Sequence, residues 1–142
     1  MSWRDTATPD AQADLDALAA AAPGFAAHQL GGVGQFFPYA AHLNVGGEIG
    51  LMAPDPELVG ENPTSTVMLE TLEDVLGVNN AQLRASAIVY DVNTVGGEAI
   101  AVNLEHREGI ALRMVIPYVR TADGVQLQDP AGVEPIEAIV FR

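Results

Sequence analysis

The sequence predicts an α+β domain built on an antiparallel sheet of five or more strands, with two helices on one face. Three observations indicate this class: two segments with apolar residues at helical spacing, alternating runs across 84–120, and glycines between those runs. The expected order is α-β-β-α-β-β-β plus one or two C-terminal strands. We expect residues 1–142 to form a single domain, with residues 1–8 as a disordered N-terminal tail.

The first helix is predicted to begin at Pro9. Thr8 offers a capping hydroxyl, Pro9 suits the first helical position, and Asp10 places an acid in the first turn. Apolar residues then recur at helical spacing at Ala11, Leu15, Leu18 and Ala22. Pro23-Gly24 ends the helix, and its apolar side needs a sheet to cover it.

A β-hairpin and a second helix are predicted next. Apolar residues alternate from Phe37 to Val45, and Gly46-Gly47 turns the chain into a second strand over 48–52. Asn62-Pro63 opens the second helix, which Gly77 closes. Its apolar stripe consists of Met68, Leu72, Val75 and Leu76.

The last third predicts a three-stranded meander over 84–94, 98–106 and 110–120. If each connection is a three-residue loop, nine apolar residues share one face. They are Ile88, Tyr90, Val92, Ile100, Val102, Leu104, Leu112, Met114 and Ile116. Asp123-Gly124 indicates a further turn into 125–127, and Ile136 to Phe141 is predicted as a final strand.

The order of elements over residues 9–120 is similar to that of profilin-like and roadblock domains. Locally, the segments 36–39 (Phe-Phe-Pro-Tyr) and 104–107 (Leu-Glu-His-Arg), with Gly109 and Pro117-Tyr118, resemble small bacterial domains of unknown function. The resemblance implies a profilin-like fold and assigns no catalytic residue, because fold does not give function.

Charge is the most informative feature of the composition. Nineteen acidic residues stand against six basic ones, all arginine, and the formal net charge is −13. Such a surface repels nucleic acid and anionic lipid and attracts a basic partner. The alternative is that the acidity follows a GC-rich or salt-adapted genome. With no apolar run of membrane-spanning length and no signal-peptide pattern, the chain is expected to be cytoplasmic.

Several chemistries are excluded or disfavoured. Lysine and cysteine are absent, which removes phosphate-loop, Schiff-base and thiol mechanisms. The Gly32-Val33-Gly34 run is followed by a predicted strand in place of a helix, so it is not a dinucleotide fingerprint. The three serines lack the hydrolase motif, and the three histidines are isolated. We therefore expect no cofactor and no metal.

The face of the sheet opposite the predicted core is the candidate site. It mixes small apolar residues with polar ones, and Arg113 is expected beside Asn103 within reach of an ion pair with Glu105. The candidate ligand or partner residues are Phe36, His42, Met52, Asp91, Asn103, Glu105 and Arg113, and a second candidate cluster at a hairpin end is His106, Arg107 and Tyr118. A wetted outer sheet face and an ordinary polar turn are the structural alternatives.

Three functions follow from these observations. The first is a non-enzymatic protein-binding or regulatory module, comparable to immunity proteins, that acts as a homodimer or with a basic partner. The second is a small-ligand-binding or sensory domain. The third is an acid-base hydrolase or isomerase that uses Asp91, Glu105 or His106. The absence of catalytic motifs favours the first.

Overall fold

The computed structural model describes residues 2–142. Residues 2–142 form four helices and seven strands, with two single 3₁₀ turns at Trp3–Asp5 and Asn80–Gln82. In chain order the elements are α1 (Pro9–Ala21), α2 (Gly24–Gly32), β1 (Tyr39–Asn44), β2 (Ile49–Met52), α3 (Pro56–Val59), α4 (Ser65–Val78), β3 (Leu83–Thr94), β4 (Gly97–His106), β5 (Ile110–Thr121), β6 (Gly124–Leu127) and β7 (Gly132–Pro135). The α+β class is confirmed, whereas α2 and α3 were not predicted.

All strand pairs are antiparallel, and the sheet order is β2-β1-β3-β4-β5-β6, with β7 also paired to β5. Because β4 occupies one edge of β5 over Ile110–Pro117, β7 lies along its other edge at Leu112–Val115. The predicted turn at Asp123-Gly124 and the short strand after it are present as β6.

The helices cover both faces of the sheet, and the prediction that they share one face is wrong. On the front face, α1 and α2 pack on strand residues that include Ala87, Val89 and Val102. On the back face, α4 packs through Leu72 and Leu76 on Ile88. Successive residues of a strand point to opposite faces, so Ile88 and Val89 place α4 opposite α1 and α2. No helix among residues 2–142 has the length and apolarity to cross a bilayer.

The β3–β4 register differs by one residue from the prediction. Thr94 pairs with Gly97, so the loop has two residues in place of three. A shift of one residue moves a whole strand's side chains to the other face. The back face therefore carries Ile88, Tyr90 and Val92. The front face carries Ile100, Val102 and Leu104. The β4–β5 register is as predicted, with Val102 opposite Met114.

The two ends of the chain also differ from the predictions. Of the predicted tail over residues 1–8, residue 1 lies outside the described residues; among the others, Ser2 caps the first 3₁₀ turn and Trp3 packs against the core. Ile136 to Phe141 do not form a strand. The last strand lies earlier, at Gly132–Pro135, and residues 136–142 run irregularly across the back face with Val140 buried.

Tyr39 fixes the junction between α1 and α2. Its hydroxyl donates to the Ala22 carbonyl at 2.5 Å and accepts from the Ala26 N–H at 3.0 Å. Burial raises the pKa of Tyr39 to about 12, so the hydroxyl keeps its proton at neutral pH. One side chain thus pairs two backbone groups at a helix break, where intrahelical partners are missing.

We expect Tyr39→Phe to lower the free energy of unfolding by about 1–2 kcal/mol, because both backbone groups lose their partner in a buried setting. Urea unfolding followed by far-UV circular dichroism measures the change. Tyr90→Phe is the matched control, since the Tyr90 hydroxyl makes one long contact of 3.3 Å to Asn103. Equal losses in both variants would contradict the bridging role of Tyr39.

Candidate functional site

The predicted candidate face is divided between the two sides of the sheet. Phe36 lies in the front core, and Asp91 is on the same side, bonded to Tyr118. The other members, His42, Met52, Asn103, Glu105 and Arg113, lie on the back. The separation of Asp91 from Asn103 and Glu105 follows from the two-residue β3–β4 loop, which places the odd-numbered residues of β3 and β4 on opposite faces. Phe36 lies before β1 and does not follow the alternation of that strand.

Glu105 anchors the C-terminal segment. Its carboxylate is 3% exposed and accepts the backbone N–H groups of Ile139, Val140 and Phe141 at 3.0–3.2 Å. A buried carboxylate needs such compensation, and three backbone donors supply it. Glu105 is thereby occupied by the protein itself and is not open to a ligand.

Arg113 does not pair with Glu105 as predicted. Its Nε donates to Asn103 Oδ1 at 2.9 Å, and its Nη1 lies 3.7 Å from Glu134 Oε1 on β7. The side chains of Arg113 and Glu134 are 37% and 64% exposed, so this long ion pair contributes at most about 1 kcal/mol. The central part of the predicted face is therefore a network of contacts within the protein.

The hairpin-end cluster is also divided, and its histidine is fully engaged. His106 is 1% exposed; its Nε2–H donates to Asp14 Oδ2 at 2.9 Å and its Nδ1 accepts the Glu108 N–H at 3.1 Å. Neither ring nitrogen is free to exchange a proton with a substrate. Arg107 is exposed, and Tyr118 lies at the opposite end of the β4–β5 hairpin.

Asp14 completes a buried polar cluster that the sequence did not reveal. Its carboxylate also binds the guanidinium of Arg84. Burial raises the pKa of Asp14, but hydrogen bonds from Arg84 and His106 outweigh it, and the net pKa is lowered. In the sequence, the one indication of this cluster was the position of Asp14, an acidic residue at helical spacing within the apolar stripe of α1, three residues after Ala11.

Tyr118 contacts two carboxylates on the front face. Its hydroxyl lies 3.0 Å from Asp91 Oδ1 and 2.8 Å from Glu98 Oε2, and Arg120 binds Glu98 through two nitrogens. Burial and both carboxylates raise the pKa of Tyr118. Within the described part of the chain, no group of three or more His, Asp or Glu side chains is arranged to hold a metal ion.

A largely apolar cleft lies at the end of the sheet where β1 begins and β2 ends. We call it the aromatic cleft; its volume is about 520 Å³, and its lining includes Phe25, Val33, Phe36, Phe37, Pro54 and Met68. Tyr39 forms its floor, with the Phe25 ring edge-on at a centroid distance of 5.0 Å. Phe37 is 66% exposed and Val33 is 73% exposed. Large apolar side chains are therefore presented to a ligand or partner.

The wall segment of the aromatic cleft over residues 53–63 carries acidic residues that are not themselves part of the lining. Asp55, Glu57 and Glu61 are exposed on the segment that forms one wall. Arg120 lies at the opposite end, where its Nη1 donates to the Gly34 carbonyl at 3.2 Å, but its charge is matched by Glu98. The apolar cleft is thus flanked by a negatively charged segment, residues 55–61, which we call its rim. In the sequence, the available signal was the Phe-Phe-Pro-Tyr run at 36–39.

Comparisons of the chain with protein-family models, with curated proteins and with solved structures gave no match. Function is therefore inferred from the geometry and charge of this domain, and the resemblances noted in the sequence stay predictions.

Proposed function

We propose that this chain is a non-enzymatic binding module that holds an amphipathic, basic segment of a partner protein in the aromatic cleft. The observation that carries the proposal is the pairing of exposed apolar side chains, Phe37 and Val33 above all, with the acidic segment 55–61. The partner's apolar side chains would enter the cleft, and its lysines or arginines would meet the rim.

The charge of the whole domain supports a basic partner over other occupants. At a net charge of −13, the domain attracts cationic segments and accelerates their association. The same charge repels a second copy of the chain, so a homodimer through this cleft is the less favoured arrangement. An immunity-like or regulatory role in the cytoplasm, on a profilin-like framework, is consistent with this surface.

The positions and contacts of the three residues considered for acid-base catalysis favour a binding function over an enzymatic one. Asp91 and His106 lie on the front side and Glu105 on the back, so the three do not converge on one cavity. The carboxylate of Glu105 is bonded to backbone amides, and both nitrogens of His106 have protein partners. These contacts support structural roles for both side chains.

A labelled peptide tests the proposal without an unidentified lysate. We expect an amphipathic peptide of alternating leucine and arginine to bind, as measured by fluorescence anisotropy, and a version with glutamate for arginine not to bind. Phe37→Ala is expected to weaken binding about tenfold, which corresponds to about 1.4 kcal/mol. Raising the salt to about 0.5 M should weaken binding further, since it screens the rim.

Matched valine variants separate cleft binding from general attraction to an acidic protein. Val33→Ser removes an apolar side chain at the cleft, whereas Val78→Ser removes one of similar exposure, 84%, at the end of α4. Binding should fall in Val33→Ser and stay unchanged in Val78→Ser. Equal affinity in the wild type, Phe37→Ala and Val33→Ser would refute the proposal.

A small apolar ligand is the second candidate for the aromatic cleft. Its volume of about 520 Å³ lies within the range of small-molecule sites, about 300–1,000 Å³. A neutral apolar dye whose fluorescence rises on binding distinguishes a small-ligand site from a peptide-binding site. Dye binding that Phe37→Ala abolishes, together with no peptide binding, would favour the small ligand.

A further inference from the structure

A second cavity lies on the back face, between the β1–β2 hairpin and the C-terminal end of α4. We call it the back-face pocket; its volume is about 430 Å³, and its lining includes His42, Asn44, Met52, Leu76, Asn79 and Gln82. It does not share a lining residue with the aromatic cleft. Its size also falls within the range of small-molecule sites.

His42 carries an unpaired polar atom at this pocket. Its Nδ1 is buried and has no hydrogen-bond partner among residues 2–142, and the same is true of Ser86 Oγ, whose residue pairs with His42 across the strands. A buried polar group without a partner costs about 1–3 kcal/mol, so such groups are uncommon in structural sites. The imidazole contrasts with that of His106, where both nitrogens are bonded.

Gly50 makes room for the imidazole. A Cβ atom at position 50 would lie 2.7 Å from His42 Cε1 and 3.0 Å from its Nε2. The ring therefore rests on a surface that only glycine provides.

The polar lining consists of the imidazole and three amides. Asn44 Oδ1 accepts the Glu48 N–H at 2.9 Å, and Asn79 Nδ2 donates to the Val75 carbonyl at 2.8 Å. In the described part of the chain this leaves Asn44 Nδ2, Asn79 Oδ1 and the Gln82 amide for other partners. The back-face pocket thus offers unpaired hydrogen-bond donors and acceptors, and its lining contains no charged side chain.

We propose that the back-face pocket binds an uncharged planar heterocycle with an amide-like edge, such as a nucleobase or a pyridine carboxamide. Side-chain amides pair with a donor and an acceptor placed side by side, as they do with adenine. Met52 and Leu76 offer apolar surface to the ring faces. The net charge of −13 and the lack of a basic lining residue disfavour an anion. This site is independent of the proposed protein-binding function.

Titrations of the ¹⁵N-labelled domain with nicotinamide, adenine and nicotinate, followed by NMR amide shifts, test the proposal. Nicotinamide and adenine should give saturable shifts at 42–46 and 75–83, and the nicotinate anion should bind at least about tenfold more weakly. Gln82→Ala is expected to weaken adenine binding about threefold to tenfold, the loss of one neutral hydrogen bond or two.

Gln126→Ala is the matched control, since Gln126 is also an exposed glutamine and lines neither the back-face pocket nor the aromatic cleft. It should leave the shifts and affinities unchanged, and the NMR spectra show directly that both variants are folded. The proposal is overturned if neither neutral compound gives saturable shifts, or if nicotinate binds as well as nicotinamide. Shifts that map to the aromatic cleft and vanish in Phe37→Ala would overturn it too.

Discussion

Glu105→Ala is expected to lower the free energy of unfolding by about 3–5 kcal/mol and to release residues 136–142 from the back face. The variant removes the acceptor of three backbone N–H groups, at Ile139, Val140 and Phe141. Val140 is 1% exposed, so its amide has no water to replace the carboxylate while the segment stays in place. Once residues 136–142 are released, their backbone amides can bond to water, and this limits the loss of stability.

Hydrogen exchange and urea unfolding together check this result. Amide exchange at 139–141 should accelerate far more than exchange within β4, because the anchor is lost before the sheet opens. Glu108→Ala is the control: Glu108 is an exposed glutamate three residues along the same hairpin, where it accepts from Thr8. Unchanged protection at 139–141 in Glu105→Ala would show that the carboxylate is not the anchor.

Asp14→Ala is expected to destabilise the domain by about 3 kcal/mol. His106 is buried, so its Nε2–H would lose the Asp14 acceptor without access to water, whereas the guanidinium of Arg84 is partly exposed and can be solvated. Asp16→Ala on the same helix is the control. Asp16 pairs with Arg4 where both side chains are about half exposed, so a loss of at most about 1 kcal/mol is expected there. Comparable losses in the two variants would contradict the role of Asp14.

The pH dependence of Asp14→Asn gives a second test with a defined sign. The folded-state pKa of Asp14 is lowered, so its stabilisation is present above the ordinary value of 3.8 and is lost as the pH falls toward the folded-state pKa. Between about pH 4 and pH 2 the wild type should therefore lose more stability than Asp14→Asn. Parallel curves in that range would refute the prediction.

The sequence predicted local pairings better than long-range ones. Gly109, at a φ of +93°, closes a three-residue loop, and the β4–β5 register followed from it correctly. Gly96-Gly97 allowed either a two- or a three-residue loop. Apolar alternation could not decide between them, because β3 is buried on both faces and carries apolar residues at Ala87, Ile88 and Val89 alike.

The candidate sites depended on that register and on contacts far apart in sequence. The one-residue difference divided the predicted face, and nothing near His106 indicated Asp14, 92 residues earlier, as its partner. The aromatic cleft gathers residues from α2, from the start of β1 and from the segment before α4. Each group is unremarkable alone, so only the folded chain reveals the cleft.

The packing of α1 has a consequence for the order in which the protein can fold during synthesis. α1 is made early, but its sheet partners in β3 and β4 and the His106 contact of Asp14 are made much later. Until β3 and β4 leave the ribosome, most of the sheet that covers the apolar side of α1 is missing, and chaperones have access to that side. The β3–β4 and β4–β5 hairpins can pair as they emerge, since their contacts are local. We therefore expect strands β3, β4 and β5 to form first and the N-terminal half of the chain to pack on them afterwards.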